Sequence, residues 1–524
     1  MRILTLILLL ACTVIPSVTQ PVESNTQCKA CYLLVDFLSD LSSRSNFDIT
    51  ILKSIASDYC IYDRIESKDV CNGIINEFTP EVLLIIKEHP NPQKVCQQLR
   101  VCSSDSLSSK PSIGYFIQLS DIHYDALYKI GSNTACGDPL CCRSGSGNAG
   151  YWGSVGCDTN IHLLTSALET LKQLYPNPDF IMWTGDAPAH DVWNQTQQLN
   201  DNASLFISSL FSEYYPQTPV VFTIGNHENF PSDQDAGPTN PTRVNNSDLI
   251  QTMIEAWGQW LSPDEIKEFT YGGYYSTLLK PGLRIISLNS DYGMYTNLWL
   301  VISKLDVADQ ISWLNNTLYN ASINNESVWI ISHSSLGDTT IISNYSNLYY
   351  QIIAAYPNII KAGFHGHTHY DAFRIPTLPN KTPFTVEYIA PALTSYSGNF
   401  PSFRIYMYDQ DRFEIVDYVQ YFLNLTNANE ESNTTAEWQI SYQATEEYNM
   451  NSLSLQEWTI VKNQIVSEPY MMQRFCRNYF SQNPGSLCEN QNSLRDLKCQ
   501  ISTFSYQQYT NCMQLQSELY MVDY

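Results

Sequence analysis

The sequence predicts an α/β fold for the largest part of the chain, and three observations carry that reading. From Gly114 onward, short apolar runs alternate with helical stretches. Five of those runs end in Asp, Asn or His. The pattern is bounded on both sides by cysteine-bearing segments of different composition. Residues 23–104 hold six cysteines among apolar residues at helical spacing, and residues 105–113 are Ser-rich, contain Pro111 and read as a linker. The α/β part is expected over 114–424, because the strand signal fades beyond about Asp411. Residues 425–524 are polar, rich in Asn, Gln, Tyr and Ser, with four cysteines.

The first twenty residues read as a cleaved secretory signal. Arg2 precedes an apolar run from Ile3 to Ile15, Pro16 ends it, and small and polar residues follow to Gln20. The run is short for a membrane span, and no later stretch is long and apolar enough to be one. Of the 15 cysteines, Cys12 leaves with the signal, so 14 remain to pair in an oxidising compartment. Roughly ten Asn-x-Ser/Thr sequons follow, Asn194, Asn202, Asn315, Asn344, Asn380 and Asn424 among them. A glycosylated protein of the secretory pathway, lysosomal or secreted, is expected. The net charge of −24 excludes a basic nucleic-acid-binding face as the dominant feature. The oligomeric state is left open.

The cysteines of the N-terminal unit are Cys28, Cys31, Cys60, Cys71, Cys96 and Cys102. Tyr32-Leu33-Leu34, Phe37-Leu38 and Leu41 recur at helical spacing, as do Ile74-Ile75, Phe78 and Val82 to Ile86. Four short amphipathic helices held by three disulfides fit this pattern, although six cysteines alone permit 15 pairings. In cysteine order and helical register the segment resembles the saposin B-type fold. The resemblance implies the nested pairing Cys28–Cys102, Cys31–Cys96 and Cys60–Cys71, and a unit that buries an apolar face in lipid. The alternative role is a purely structural cap.

Within the α/β part, Tyr115–Leu119 leads into Asp121-Ile122-His123, Phe180–Trp183 into Gly185-Asp186, and Val220–Ile224 into Gly225-Asn226-His227-Glu228. Val328–Ile331 leads into His333, and Ile359–Phe364 into His365-Gly366-His367-Thr368-His369. Side chains at the carboxyl ends of buried strands converge on one sheet edge. Seven of the nine His fall within or beside these motifs, whereas His89 and His162 have no motif around them. Imidazole and carboxylate without thiolate suit zinc, iron or manganese.

The ordered set Asp-x-His, Gly-Asp, Gly-Asn-His-Glu, His and Gly-His-x-His resembles the calcineurin-like metallophosphoesterase family. That implies two packed mixed sheets flanked by helices, an αββα sandwich. It implies a first metal on Asp121, His123 and His369, a second on Asn226, His333 and His367, and Asp186 bridging them. Members that hold ferric iron carry a Tyr soon after Gly-Asp; here Ala187-Pro188-Ala189-His190 follows, so two zinc ions are expected. Two cations about 3.5–4 Å apart offset the charge of a phosphodiester and acidify a bound water. His227 is expected to protonate the leaving group, with His190 sharing that role or orienting the phosphate. His365 lies outside the motif and is expected to be structural.

Three further segments resemble the acid sphingomyelinase family. They are Cys136-Gly137-Asp138-Pro139-Leu140-Cys141-Cys142, Gly185 to Trp193, and Ile389 to Tyr396. The resemblance implies disulfides Cys136–Cys141 and Cys142–Cys157, and a helical C-terminal extension with Cys476–Cys488 and Cys499–Cys512. It places Tyr396 where an aromatic ring contacts a choline head group. It implies hydrolysis of sphingomyelin to ceramide and phosphocholine at a membrane surface met through the saposin-like unit; the family's nucleotide-cleaving relatives lack that unit. The rival readings are a phosphodiesterase for nucleotides or other soluble diesters, and a lipid-binding protein without activity.

Overall fold

Strand alternation from Ile113 onward builds two six-stranded sheets. In the first, β1 (Ile113–Leu119), β2 (Ile181–Trp183) and β3 (Val220–Phe222) run parallel. β10 (Ser402–Asp409), β11 (Ile415–Phe422) and β12 (Gln439–Gln443) extend it antiparallel, giving the order β12-β11-β10-β1-β2-β3. The second sheet contains β4 (Tyr275–Lys280), β5 (Leu283–Leu288), β6 (Ser327–Ser332), β7 (Ile360–His365), β8 (Ala372–Arg374) and β9 (Glu387–Ile389). Its order is β4-β5-β6-β7-β9-β8, with β5, β6, β7 and β9 parallel.

This computed structural model describes residues 67–88 and 112–522 except 239–245, 379 and 431–434, together with Val35, Ile49, Thr50, Lys53, Ser57, Val95 and Cys96. The chain divides into two units, Met1–Pro111 and Ser112–Tyr524. In the first, helix α1 (Lys68–Glu88) buries Cys71, Ile75 and Thr79. Cys71 and Cys96 are each disulfide-bonded. The expected signal (1–20), the rest of the linker and the full nested pairing lie outside the described residues.

In the second unit, alternate residues of each strand face opposite layers. Phe116 meets Trp329 and Phe364 at ring separations of 5.4 and 5.5 Å, joining the inner faces of the two sheets. Ile117, Leu119 and Phe222 face outward into α2 (Ile161–Leu174), α3 (Gln197–Tyr214) and α4 (Ser247–Trp257), against Leu164, Phe211 and Met253. The outer face of the second sheet carries α6 (Gln310–Ile323) and α7 (Ser343–Ile353), where Leu314 and Tyr345 pack on Ile286 and Ile330. Between α4 and α6 in sequence, α5 (Pro263–Gly272) opens on a Ser262–Glu265 capping box and closes on Gly273 at φ 69°. The result is the αββα sandwich of a calcineurin-like phosphoesterase.

The C-terminal part holds α8 (Leu425–Glu430), α9 (Ala444–Glu447), α10 (Leu455–Ser467), α11 (Pro469–Tyr479), α12 (Gln491–Gln500) and α13 (Tyr506–Val522). Trp458 of α10 seats on Phe373 of β8 at 4.4 Å, so these helices share the core of the sandwich. The expected helical C-terminal extension is present, and one strand, β12, precedes most of its helices. That strand pairs with β11, its Ile440 is exposed, and only Tyr442 is buried, so it carries little apolar periodicity. Disulfides Cys136–Cys141, Cys142–Cys157, Cys476–Cys488 and Cys499–Cys512 are present.

Candidate metal centre

β1, β2, β3, β6 and β7 deliver their following loops to one end of the sandwich. The loops are laced by backbone hydrogen bonds: Asp121 N donates to Gly185 O and His123 N to Asp186 O, each at 3.0 Å. Asp121, His123, Asp186, His367 and His369 sit at φ of 50°, 44°, 68°, 68° and 64°. Non-glycine residues in this region are strained, and their clustering marks the place where side chains are being aimed. Gly366 is required for the same closeness, since a Cβ there would overlap Ser120 Oγ and the Asp121 carboxylate.

The structure brings all seven expected ligands together. His123 Nε2 and His369 Nε2 are 3.2 Å apart. Asp186 Oδ2 lies 3.3 Å from His123 Nε2 and 3.1 Å from His333 Nε2. Asp121 Oδ1 is 3.5 Å from His369 Nε2, and Asn226 Oδ1 is 3.0 Å from His367 Nδ1. Asp186 therefore stands between two groups of donors, Asp121, His123 and His369 on one side and Asn226, His333 and His367 on the other.

The tautomers fit a cation. His123 Nδ1 donates to Pro188 O and His333 Nδ1 to Thr184 O, both at 2.7 Å. A carbonyl only accepts, so in the neutral ring Nε2 carries the lone pair. Two such nitrogens therefore face the same carboxylate oxygen, and His333 Nε2, buried, has no hydrogen-bond partner. Burial lowers the pKa of His123 and, helped by the His333 charge, takes His367 down to about 4; burial and His123 hold His369 well below its usual value. His123, His367 and His369 are thus neutral, as a metal requires, while the charge of Asp186, outweighing burial, lifts His333 to about 10, so a metal would displace its proton. Asn226 is turned inward because its Nδ2 donates to Asp233 Oδ1 at 2.7 Å.

The two expected catalytic histidines adjoin this cluster. His227 stands edge-on to His123 at 4.8 Å and to His190 at 4.7 Å, and its buried Nδ1 has no partner. His190 has a ring nitrogen within 4.8 Å of donor atoms on His123 and His369. Tyr396 stacks on His190 at 3.7 Å, so one face of its ring is already covered. His365 is apart from the donors: its Nδ1 meets Ser332 Oγ at 2.9 Å, and burial pushes it down to about 3.

Two residues without an expected role complete the site. Asp158, fully buried, receives His190 Nδ1 at 2.7 Å, His190 N at 2.6 Å and Thr394 Oγ1 at 3.1 Å. Glu228 accepts from the backbone N–H groups of Ala187 (2.7 Å), Gly225 (2.8 Å) and Asp186 (3.1 Å), clamping two of the ligand loops. The motif Gly225-Asn226-His227-Glu228 contained the second; nothing in Cys157-Asp158-Thr159 signalled the first.

Known proteins share this arrangement of parts. The model for saposin-like type B, region 2, matches residues 69–102, calcineurin-like phosphoesterase matches 114–371, and the acid sphingomyelin phosphodiesterase C-terminal region matches 381–519. Sphingomyelin phosphodiesterase A of Dictyostelium discoideum is 32% identical, over 93% of this chain and 90% of its own length. Sphingomyelin phosphodiesterase of Homo sapiens is 31% identical over 88% of this chain and 79% of its own. The cyclic GMP-AMP phosphodiesterase of Mus musculus is 29% identical over 77% of this chain and 92% of its own. With this match along nearly its whole length, and a buried His/Asp group fit to bind metal at the strand ends, the chain belongs to the sphingomyelin phosphodiesterase family of phosphoric diester hydrolases.

Proposed function

We propose that the chain hydrolyses sphingomyelin to ceramide and phosphocholine at a lipid surface, with two zinc ions, in the lysosome or outside the cell. The observation that carries the reading is the pair of imidazole nitrogens facing Asp186 Oδ2, at 3.3 Å (His123) and 3.1 Å (His333). Asp121, His123 and His369 would hold one ion, Asn226, His333 and His367 the other, and Asp186 would bridge. Bound divalent ions in such a pair offset phosphate charge and acidify a water.

The remaining chemistry is done by side chains. Hydrolysis adds the water oxygen to phosphorus and breaks the bond to the ceramide oxygen. That oxygen needs a proton as it leaves, and His227 supplies it. His190, fixed by Asp158, positions the phosphate. Tyr396, one face of its ring covered by His190, offers the other face to the choline ammonium. The four disulfides of the second unit suit the oxidising compartment proposed. Among the described residues no helix is long and apolar enough to cross a membrane, so lipid would be met from the surface, through the saposin-like unit.

Phosphocholine release from sphingomyelin liposomes at acid pH, with and without chelator and beside a nucleotide diester, tests the proposal. Chelator-sensitive release from lipid that exceeds nucleotide cleavage supports it. Nucleotide cleavage with silent liposomes favours the second reading, a soluble-diester hydrolase, which the mouse cyclic GMP-AMP relative recommends.

A further inference from the structure

We propose that residues 295–305 dock the second unit onto a lipid surface beside the metal centre. The segment follows β5, a strand parallel to β6 and β7, and so lies at the same sheet edge that presents His333 and His367. Its feet are buried: Met294, Asn297 and Val307 are 2%, 1% and 4% exposed. Asn297 Nδ2 donates to Asp235 O at 2.8 Å and to Asp291 O at 3.0 Å, and Tyr295 N donates to Thr340 O at 2.9 Å. Its crown is apolar and open. Tyr295, Leu298, Val301 and Ile302 are 64%, 72%, 84% and 70% exposed. Scattered exposed apolar residues are ordinary, but a contiguous patch held rigidly from below marks an interaction surface.

Two features identify lipid as the occupant. The first is continuity with the reaction site. Leu298 N donates to Gln234 Oε1 at 3.1 Å, and Gln234 Nε2 donates to Thr296 O at 2.9 Å. The neighbouring Asp233 holds Asn226. The crown is thus tied to a candidate metal ligand through two adjacent side chains, where a lipid head group would have to arrive. The second is charge. A chain of net charge −24 is repelled by an anionic bilayer, yet residues 295–305 contain no Asp or Glu, and their one charge, Lys304, is paired with Asp309, so the segment itself brings no repulsive charge to the surface. Trp299, half-buried between crown and base, is the residue type that favours the head-group depth. This inference rests on the lipid-substrate reading for its purpose, and its test separates the two.

Full-length protein and the double variant Val301→Glu/Ile302→Glu would be sedimented with vesicles of phosphatidylcholine, sphingomyelin and an anionic phospholipid at acid pH. The variant is expected to bind at least fivefold less and to release phosphocholine correspondingly more slowly, while cleaving a soluble aryl phosphodiester at the parent rate. Leu298→Ser, a milder change, is expected to give an intermediate loss. Vesicle binding within twofold of the parent overturns the proposal. So does a parent that sediments as a dimer and a variant that is monomeric with vesicle binding intact, since the crown would then be a contact between copies. A parent that binds vesicles through the crown but releases no phosphocholine overturns the substrate reading and leaves the docking surface standing.

Discussion

His333 Nε2 stands 3.1 Å from Asp186 Oδ2 in an orientation that leaves the nitrogen without a hydrogen bond. The pair is close enough for the Asp186 charge to act on the ring, and a cation seated between them would take both atoms as ligands. His333→Ala should therefore remove one ion from the purified protein and lower activity by about three orders of magnitude, the effect of losing several kcal/mol of transition-state stabilisation. Elemental analysis beside the rate on a soluble diester checks both halves. Full activity with the metal content unchanged would refute the ligand assignment.

The same pair links metal binding to pH. Burial pulls the His333 imidazole down, but the charge of Asp186 outweighs it and lifts the pKa to about 10. Without a cation the ring holds a proton throughout the physiological range, and metal binding must expel it. Apparent zinc affinity should fall as pH falls, by about tenfold per unit from this proton alone. Competition titrations against a chelator at pH 7 and pH 5 read this directly; an affinity independent of pH would contradict it.

Asp158 makes a different kind of contribution. It touches no candidate ligand's donor atom but receives both the backbone and the ring of His190. As a positioning residue it fixes which nitrogen of His190 faces the cluster. Asp158→Asn is expected to lower kcat by about 10–100-fold, the usual effect of losing an orienting carboxylate. KM and metal content should hold, and the pH–rate profile should shift, which loss of packing alone would not cause. An unchanged profile would make Asp158 a purely structural residue.

The buried His/Asp cluster of the candidate metal centre was legible in the sequence because its members follow apolar strands, and an apolar run ending in Asp or His is visible without any contact map. Asp121, Asp186, Asn226, His333 and His367 all stand at such ends. Asp158 was not legible, because it sits in a loop and its meaning lies in reaching His190, 32 residues away. Glu228 was visible as part of a motif, but its work on three backbone N–H groups was not, since backbone acceptors leave no residue signature. β12 escaped for a simpler reason: an edge strand with one buried side chain has almost no periodicity to read.

Gly366 connects backbone geometry to the site. Its missing side chain lets the His367 N–H reach the Asp121 carboxylate, at 3.0 and 3.1 Å to the two oxygens. Gly366→Ala places a methyl against Ser120 Oγ and Asp121, with no room on either side. Overpacking of this kind costs about 1–3 kcal/mol. The expected result is a Tm lowered by several degrees together with weakened metal retention, because the shifted groups include the candidate ligands Asp121 and His367. Calorimetry and metal analysis on one preparation test it; a normal Tm and two retained ions would show that the loop yields freely.

Beside the candidate metal centre, two buried carboxyl groups contribute to how stability responds to acid. Asp291 is fully buried, its Oδ2 accepts from Asn229 Nδ2, and its Oδ1 has no partner. Burial, then the charge of nearby Asp235, raises its pKa well above the ordinary range, and burial raises that of Asp235. A carboxyl whose folded pKa exceeds its unfolded one keeps its proton in the native state where the unfolded chain releases it. Unfolding free energy then increases as pH falls through the folded pKa toward the unfolded value near 4. Asp338 has the opposite sign, held low by Arg374 against its burial, so its contribution is lost only below the ordinary carboxylate range. These two carboxyl groups therefore contribute more stability at pH 5 than at pH 7, while the buried neutral imidazoles of His365 and His367 act in the opposite direction over the same range. Asp291→Asn keeps an acceptor for Asn229 and removes the ionisable group, so it should raise the Tm at pH 7 by about 2–4 °C and leave it nearly unchanged at pH 5. Melting curves of parent and variant at the two pH values decide the matter: a variant-minus-parent difference that is the same at both, or a variant destabilised at pH 7, would show that the Asp291 carboxyl does not oppose folding at neutral pH.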